Sequence, residues 1–203
     1  MSCRVALSCL AVVLTLSVAA TGLADKFNKK VDIGDAAPVW SGIMGTDDAE
    51  HSLSDYKDAK AIVQVFTCNH CPVAVNYEDR LVELQKDYAE RGVQLVAINV
   101  NNMEADRLPA MKRRAESKGF NFPYLYDESQ QTAVECGANV TPHVFVLDGQ
   151  RKIAYMGAID DNWNDASKVN KHYLRDALEA VLAGETPAVV STKAQGCGIM
   201  YEK

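Results

Sequence analysis

Residues Ala61 to Leu84 read A-I-V-Q-V-F-T-C-N-H-C-P-V-A-V-N-Y-E-D-R-L-V-E-L, and this stretch decides the architecture. Ile62, Val63, Val65 and Phe66 make a strand-forming run that stops at Thr67. Cys68 and Cys71 follow, and then Val73, Tyr77, Leu81 and Leu84 recur at helical spacing. A strand running into a helix places the Cys-Asn-His-Cys turn at the helix N-terminus. Unpaired amides and the positive end of the helix dipole stabilise an anion there. Pro72 suits the first helical turn, where its missing N–H costs nothing.

A thiolate is the anion that this turn supplies most easily. The expectation is therefore a dithiol redox site, with Cys68 the low-pKa sulfur and Cys71 the partner that closes the disulfide. His70 stands between them. An imidazolium there lowers the thiolate pKa, stabilises the reduced form and raises the reduction potential; the alternative is a solvated turn residue. A zinc site needs a second Cys or His pair at ligand spacing, and the sequence has none, so no metal and no cofactor is assigned.

The 203 residues suffice for one domain with a sizeable core. Hydrophobic content of 48% and charged content of 24% are those of an ordinary globular chain. A net charge of −6 without a basic tract argues against nucleic acid as a partner. At the N-terminus Arg4 precedes the apolar run Val5–Ala20, and Gly22-Leu23-Ala24 offers a small-x-small cleavage pattern. Residues 1–24 read as a signal peptide, 25–183 as one domain and 184–203 as a C-terminal tail. An uncleaved anchor is the alternative, but the run is short for a spanning helix. The expectation is an exported, periplasmic or otherwise extracytoplasmic chain with no stable membrane insertion after cleavage.

Export takes Cys3 and Cys9 away with the signal and leaves Cys68, Cys71, Cys136 and Cys197, which allow three pairings. The two-residue spacing favours Cys68–Cys71. An oxidising compartment permits a second bond between Cys136 and Cys197, and a buried free thiol is the other reading of Cys136.

Further along, Val93–Val100 reads as a second buried strand and Glu104–Lys118 as a helix with Pro109 in its first turn. A short strand at Tyr124–Tyr126 and a short helix at Glu128–Cys136 follow, the helix stopped by Gly137. Val144–Leu147 turns at Asp148-Gly149 into Ile153–Met156 as a hairpin, and Tyr173–Ala183 closes the domain as a helix. Strands alternating with helices imply an α/β fold, with a central mixed sheet covered by helices on both faces and right-handed crossovers.

The pattern resembles the thioredoxin-like superfamily over roughly residues 33–183. The resemblance is carried by Cys68-Asn69-His70-Cys71-Pro72 and by Val140-Thr141-Pro142-His143-Val144-Phe145-Val146. It implies that Pro142 is a cis proline facing the dithiol, with the Thr141 backbone aligning a partner's cysteine segment as an added strand and His143 near the sulfurs. The helix Glu104–Lys118, Phe122-Pro123-Tyr124-Leu125-Tyr126-Asp127 and the late Gly196-Cys197 resemble the redoxin (AhpC-TSA) branch of peroxiredoxin-like and TlpA-like proteins. The resemblance implies a thiol-disulfide oxidoreductase acting on protein or small-molecule thiols and disulfides. Cys68, Cys71, Pro142 and His70 are its catalytic candidates, and Thr141 and His143 its substrate-binding candidates.

Two departures bear on the chemistry. Peroxiredoxins carry a Thr three residues before the peroxide-reducing cysteine, where this chain has Val65, and an Arg where it has Pro142. Thioredoxins carry a buried Asp that Gln64 matches here, and a neutral Gln cannot relay a proton. A peroxiredoxin-like thiol peroxidase is one alternative. A Cu(I)-binding chaperone using the two thiolates with His143 or His70 is another, although such proteins resemble a C-x-x-x-C spacing. Trp163 reads either as the lining of a substrate face or as a loop plug on the core.

Overall fold

A computed structural model describes residues 26–202; the signal-peptide reading, with Cys3 and Cys9, lies outside the described residues. In chain order the elements begin with β1 (Ile43–Gly45), β2 (Glu50–His51), β3 (Ala61–Phe66), α1 (Pro72–Tyr88) and β4 (Val93–Asn99). They continue with α2 (Leu108–Lys118), β5 (Tyr124–Tyr126), α3 (Gln131–Cys136), β6 (Val140–Thr141) and β7 (His143–Leu147). β8 (Ile153–Gly157), α4 (Tyr173–Leu182) and β9 (Cys197–Gly198) complete the chain.

Seven strands form one mixed sheet in the order β2-β1-β5-β4-β3-β7-β8. β3 pairs parallel with β4 and antiparallel with β7, so the strand that carries the dithiol lies inside the sheet. Every residue of β3 is buried, which is why its sequence is a continuous apolar run broken only by Gln64. Strand alternation then divides the core in two. Val63 and Val65 point to one face with Leu95, Ala97, Val144 and Val146, against Tyr77, Leu81 and Leu84 of α1, Met111 of α2 and Leu174 and Leu178 of α4. Ile62 and Phe66 point to the other with Ile98, Phe145 and Leu147, against Ala133 and Cys136 of α3 and Trp40 of the lead-in segment. Helices cover both faces, and the fold is the thioredoxin-like α/β one.

Three segments differ from the sequence reading. The helix expected over Glu104–Lys118 is split: Glu104–Asp106 is a 3₁₀ turn, Arg107 is extended, and α2 begins at Leu108. Pro109 lacks an N–H and is confined to a first turn, so α2 starts beside it rather than four residues earlier. The short helix starts at Gln131 instead of Glu128, because Gln130 is left-handed (φ 63°) and Asp127 caps the helix through the Thr132 amide at 2.9 Å. The tail is the largest difference. Cys197–Gly198 forms a strand, and it pairs antiparallel with β6.

Candidate active site

The dithiol sits where expected, with Cys71 at the N-cap of α1 and Pro72 opening the helix. The Thr141–Pro142 peptide is cis, and it presents Thr141 to both sulfurs. Cys68 Sγ lies 3.0 Å from Thr141 Oγ1, and Cys71 in its thiol form donates to the Thr141 carbonyl at 3.2 Å. Two motifs far apart in sequence thus converge on one residue. Cys68 is 2% exposed and Cys71 0%.

Both sulfurs sit on Thr141 and interact, so their two ionisations belong to the pair. The first charge is favoured on Cys71, down at about 4, chiefly because Cys68 donates to it, with the amides of Ala74 and Cys197 and the Cys197 thiol adding support. Cys68 is pushed up, first by that same hydrogen bond and then by burial, with the Asp106 charge adding to the rise. Cys71 occupies the N-cap of α1, and the Cys197 amide donates to its sulfur at 3.3 Å.

His70 does not stand in solvent. Its Nδ1 donates to Asp106 Oδ2, and the Asp106 side chain is 0% exposed. Asp106 Oδ1 accepts the Asn69 amide at 2.7 Å and Asn99 Nδ2 at 3.3 Å. Asn69 in turn donates from Nδ2 to the Ala105 carbonyl at 2.7 Å and accepts the Tyr124 hydroxyl at 2.9 Å. The 3₁₀ turn over Glu104–Asp106 therefore braces the redox turn from the side opposite Thr141. Sequence reading did not select Asp106, because inside an apparent helix an Asp looks solvated. The signal was Pro109, which moves the helix start past it.

Other candidates fall elsewhere. Gln64 accepts Trp40 Nε1 at 2.9 Å and donates to Cys136 Sγ at 3.3 Å, on the face away from the dithiol. It is not placed to serve the sulfurs; the buried acid of this site is Asp106. His143 is likewise displaced: its ring tilts against Phe145 with centroids 4.7 Å apart, and Phe145 belongs to the second cluster. Residues 143 and 145 share a strand face, whereas the sulfurs pack with Val144 on the other. Cys136 and Cys197, for which the sequence leaves a second bond and a buried free thiol both open, belong to different clusters of the core. Cys136 is a buried thiol in the second cluster, pushed up to about 12 by burial, while Cys197 packs on the first cluster beside Cys71. Trp163 is a plug on the core, its carbonyl accepting Arg80 at 3.1 Å.

Among the described residues, Cys68, His70 and Asp106 form a group whose ligand atoms lie within 4.8 Å of one another. The set mixes a soft sulfur with a carboxylate already engaged by three donors, and it excludes His143. That is a poor match to the all-soft set that Cu(I) favours.

No curated protein matches the chain in sequence. Among solved structures it is similar to a hypothetical protein from Sinorhizobium meliloti, at 30% identity and a TM-score of 0.80, over 86% of this chain and 97% of that one. An uncharacterized conserved protein from Geobacillus kaustophilus is 36% identical with a TM-score of 0.78, over 84% and 92%. A thiol:disulfide interchange protein of the thioredoxin family from Chlorobium tepidum shares the fold at 21% identity and a TM-score of 0.59, over 73% and 97%. The Redoxin family model matches residues 32–173, well over half of the sequence, and the chain belongs to the Redoxin family.

Proposed function

We propose that this protein is an exported thiol-disulfide oxidoreductase that exchanges disulfides through Cys68 and Cys71. The observation that carries the reading is the convergence of both sulfurs on Thr141 beside a cis proline, at 3.0 and 3.2 Å. In the reduced pair the two sulfurs share one proton, and Cys68 attacks a partner disulfide as the thiolate while that proton rests on Cys71. A Cys68–partner bond forms and the partner's second sulfur leaves as a thiolate. Cys71 then attacks Cys68, closes the Cys68–Cys71 disulfide and releases the partner thiol. The partner is reduced and the dithiol oxidised; the reverse sequence oxidises a partner dithiol. Thr141, beside Pro142, holds both sulfurs, and His70, held by Asp106, fixes the turn between them.

Export rests on the apolar run Val5–Ala20 and its small-residue flank. No described helix is long and apolar enough to cross a membrane. Turnover of a small-molecule disulfide by wild type, Cys68→Ser and Cys71→Ser tests the reading. Turnover vanishes in Cys68→Ser, and Cys71→Ser accumulates a mixed disulfide on Cys68. Unchanged turnover in either variant overturns it.

A further inference from the structure

The tail is fixed against the site by contacts along its length. Ile199 donates its amide to the Asn139 carbonyl at 3.0 Å, Gln130 Nε2 donates to the Met200 carbonyl at 3.0 Å, and the Glu202 amide donates to Gln130 Oε1 at 2.8 Å. These contacts set the register of β9 on β6, with Cys197 opposite Thr141 and Gly198 opposite Val140. The tail therefore occupies the strand edge beside the cis proline, where a partner's cysteine segment would be added. Gly196 permits the approach: a Cβ there would lie 2.0 Å from the Thr141 oxygen and 2.6 Å from its carbon.

The register brings a third sulfur to the dithiol. The Cys197 amide donates to Cys71 Sγ at 3.3 Å. Cys71 is thus the middle member of three cysteines, sharing Thr141 with Cys68 and accepting the Cys197 amide. Cys68 and Cys71 are buried, and Cys197 is the one of the four described cysteines that is partly exposed.

Building on the dithiol reading above, we propose that Cys197 is a third redox cysteine that carries the disulfide from the buried pair to the surface. Starting from the Cys68–Cys71 disulfide, the Cys197 thiol loses its proton and attacks Cys71 Sγ. The Cys71–Cys197 bond forms, the Cys68–Cys71 bond breaks, and Cys68 leaves as a thiolate that takes up the proton. No electrons enter or leave; the disulfide moves one sulfur outward. An external thiol then meets it at Cys197, while Cys68 is free for another attack.

Disulfide mapping by mass spectrometry decides it. Cys68→Ser, treated with one equivalent of diamide and quenched with iodoacetamide, gives an intramolecular Cys71–Cys197 bond. The double variant Cys68→Ser/Gly196→Ala forms that bond at least tenfold more slowly, because the added methyl displaces β9 from β6. Full alkylation of Cys197 in oxidised Cys68→Ser, or a rate unchanged by Gly196→Ala, overturns the relay. Wild type treated the same way separates the two ideas. A Cys68–Cys71 disulfide with Cys197 wholly alkylated at every time point sinks the relay and leaves the dithiol standing; no disulfide on Cys71 at all sinks both.

Discussion

Asp106→Asn tests how the redox turn is held. The carboxylate is 0% exposed and joins three donors: His70 Nδ1, the Asn69 amide at 2.7 Å and Asn99 Nδ2 at 3.3 Å. An asparagine keeps one carbonyl oxygen, which can still serve Asn69. Its amide nitrogen then faces His70 Nδ1, so the imidazole must switch tautomer to keep a bond, and that bond is no longer to a carboxylate. The change removes one hydrogen bond to a charged group in a dry site, which is about 1.5–3 kcal/mol. For a chain of this size each kcal/mol is about 2–4 °C, so the midpoint falls by roughly 3–12 °C. Urea denaturation of the reduced protein provides the measurement, with His70→Asn and the double variant completing a cycle. The His70–Asp106 coupling comes out at about 1 kcal/mol or more, since residues in direct contact are not additive. A coupling near zero, or a loss under about 0.5 kcal/mol for Asp106→Asn alone, refutes the claim that this acid braces the turn.

Two further outcomes follow from the sulfurs. Cys71 is held down at about 4, against about 8.5 for an unfolded thiol, so between those values the unfolded chain binds more protons and the reduced protein gains stability as pH rises. Cys197 and Cys136, pushed up to about 11 and about 12, act with the opposite sign above pH 8.5. Thermal melts of the reduced protein therefore climb from pH 5 to pH 8 and fall beyond pH 9, while Cys71→Ser loses the climb; an identical slope in that variant removes the assignment. With Val65 in place of a hydroxyl donor three residues before Cys68, hydrogen peroxide oxidises Cys68 no faster than a free thiol in stopped flow, and a rate a thousandfold higher would establish peroxidase chemistry instead.

Local pattern carried a large part of this protein. The apolar run 61–66, the Cys-Asn-His-Cys-Pro turn and the helical spacing after it determined a strand feeding a helix with sulfur at its N-terminus, because period and capping are properties of neighbours in sequence. The Thr141-Pro142 motif was legible only through its resemblance to the thioredoxin-like pattern. The tertiary structure decided what no window of sequence contains. It brought both sulfurs onto Thr141, turned Asp106 inward once Pro109 had delayed α2, and put His143 and Gln64 on the face away from the dithiol through strand alternation. It also returned the tail to β6, so that Gly196 and Cys197 lie against Thr141 and Cys71. Contacts of that kind depend on chain closure over a long loop, and hydrogen-bond register fixes them only after the sheet exists.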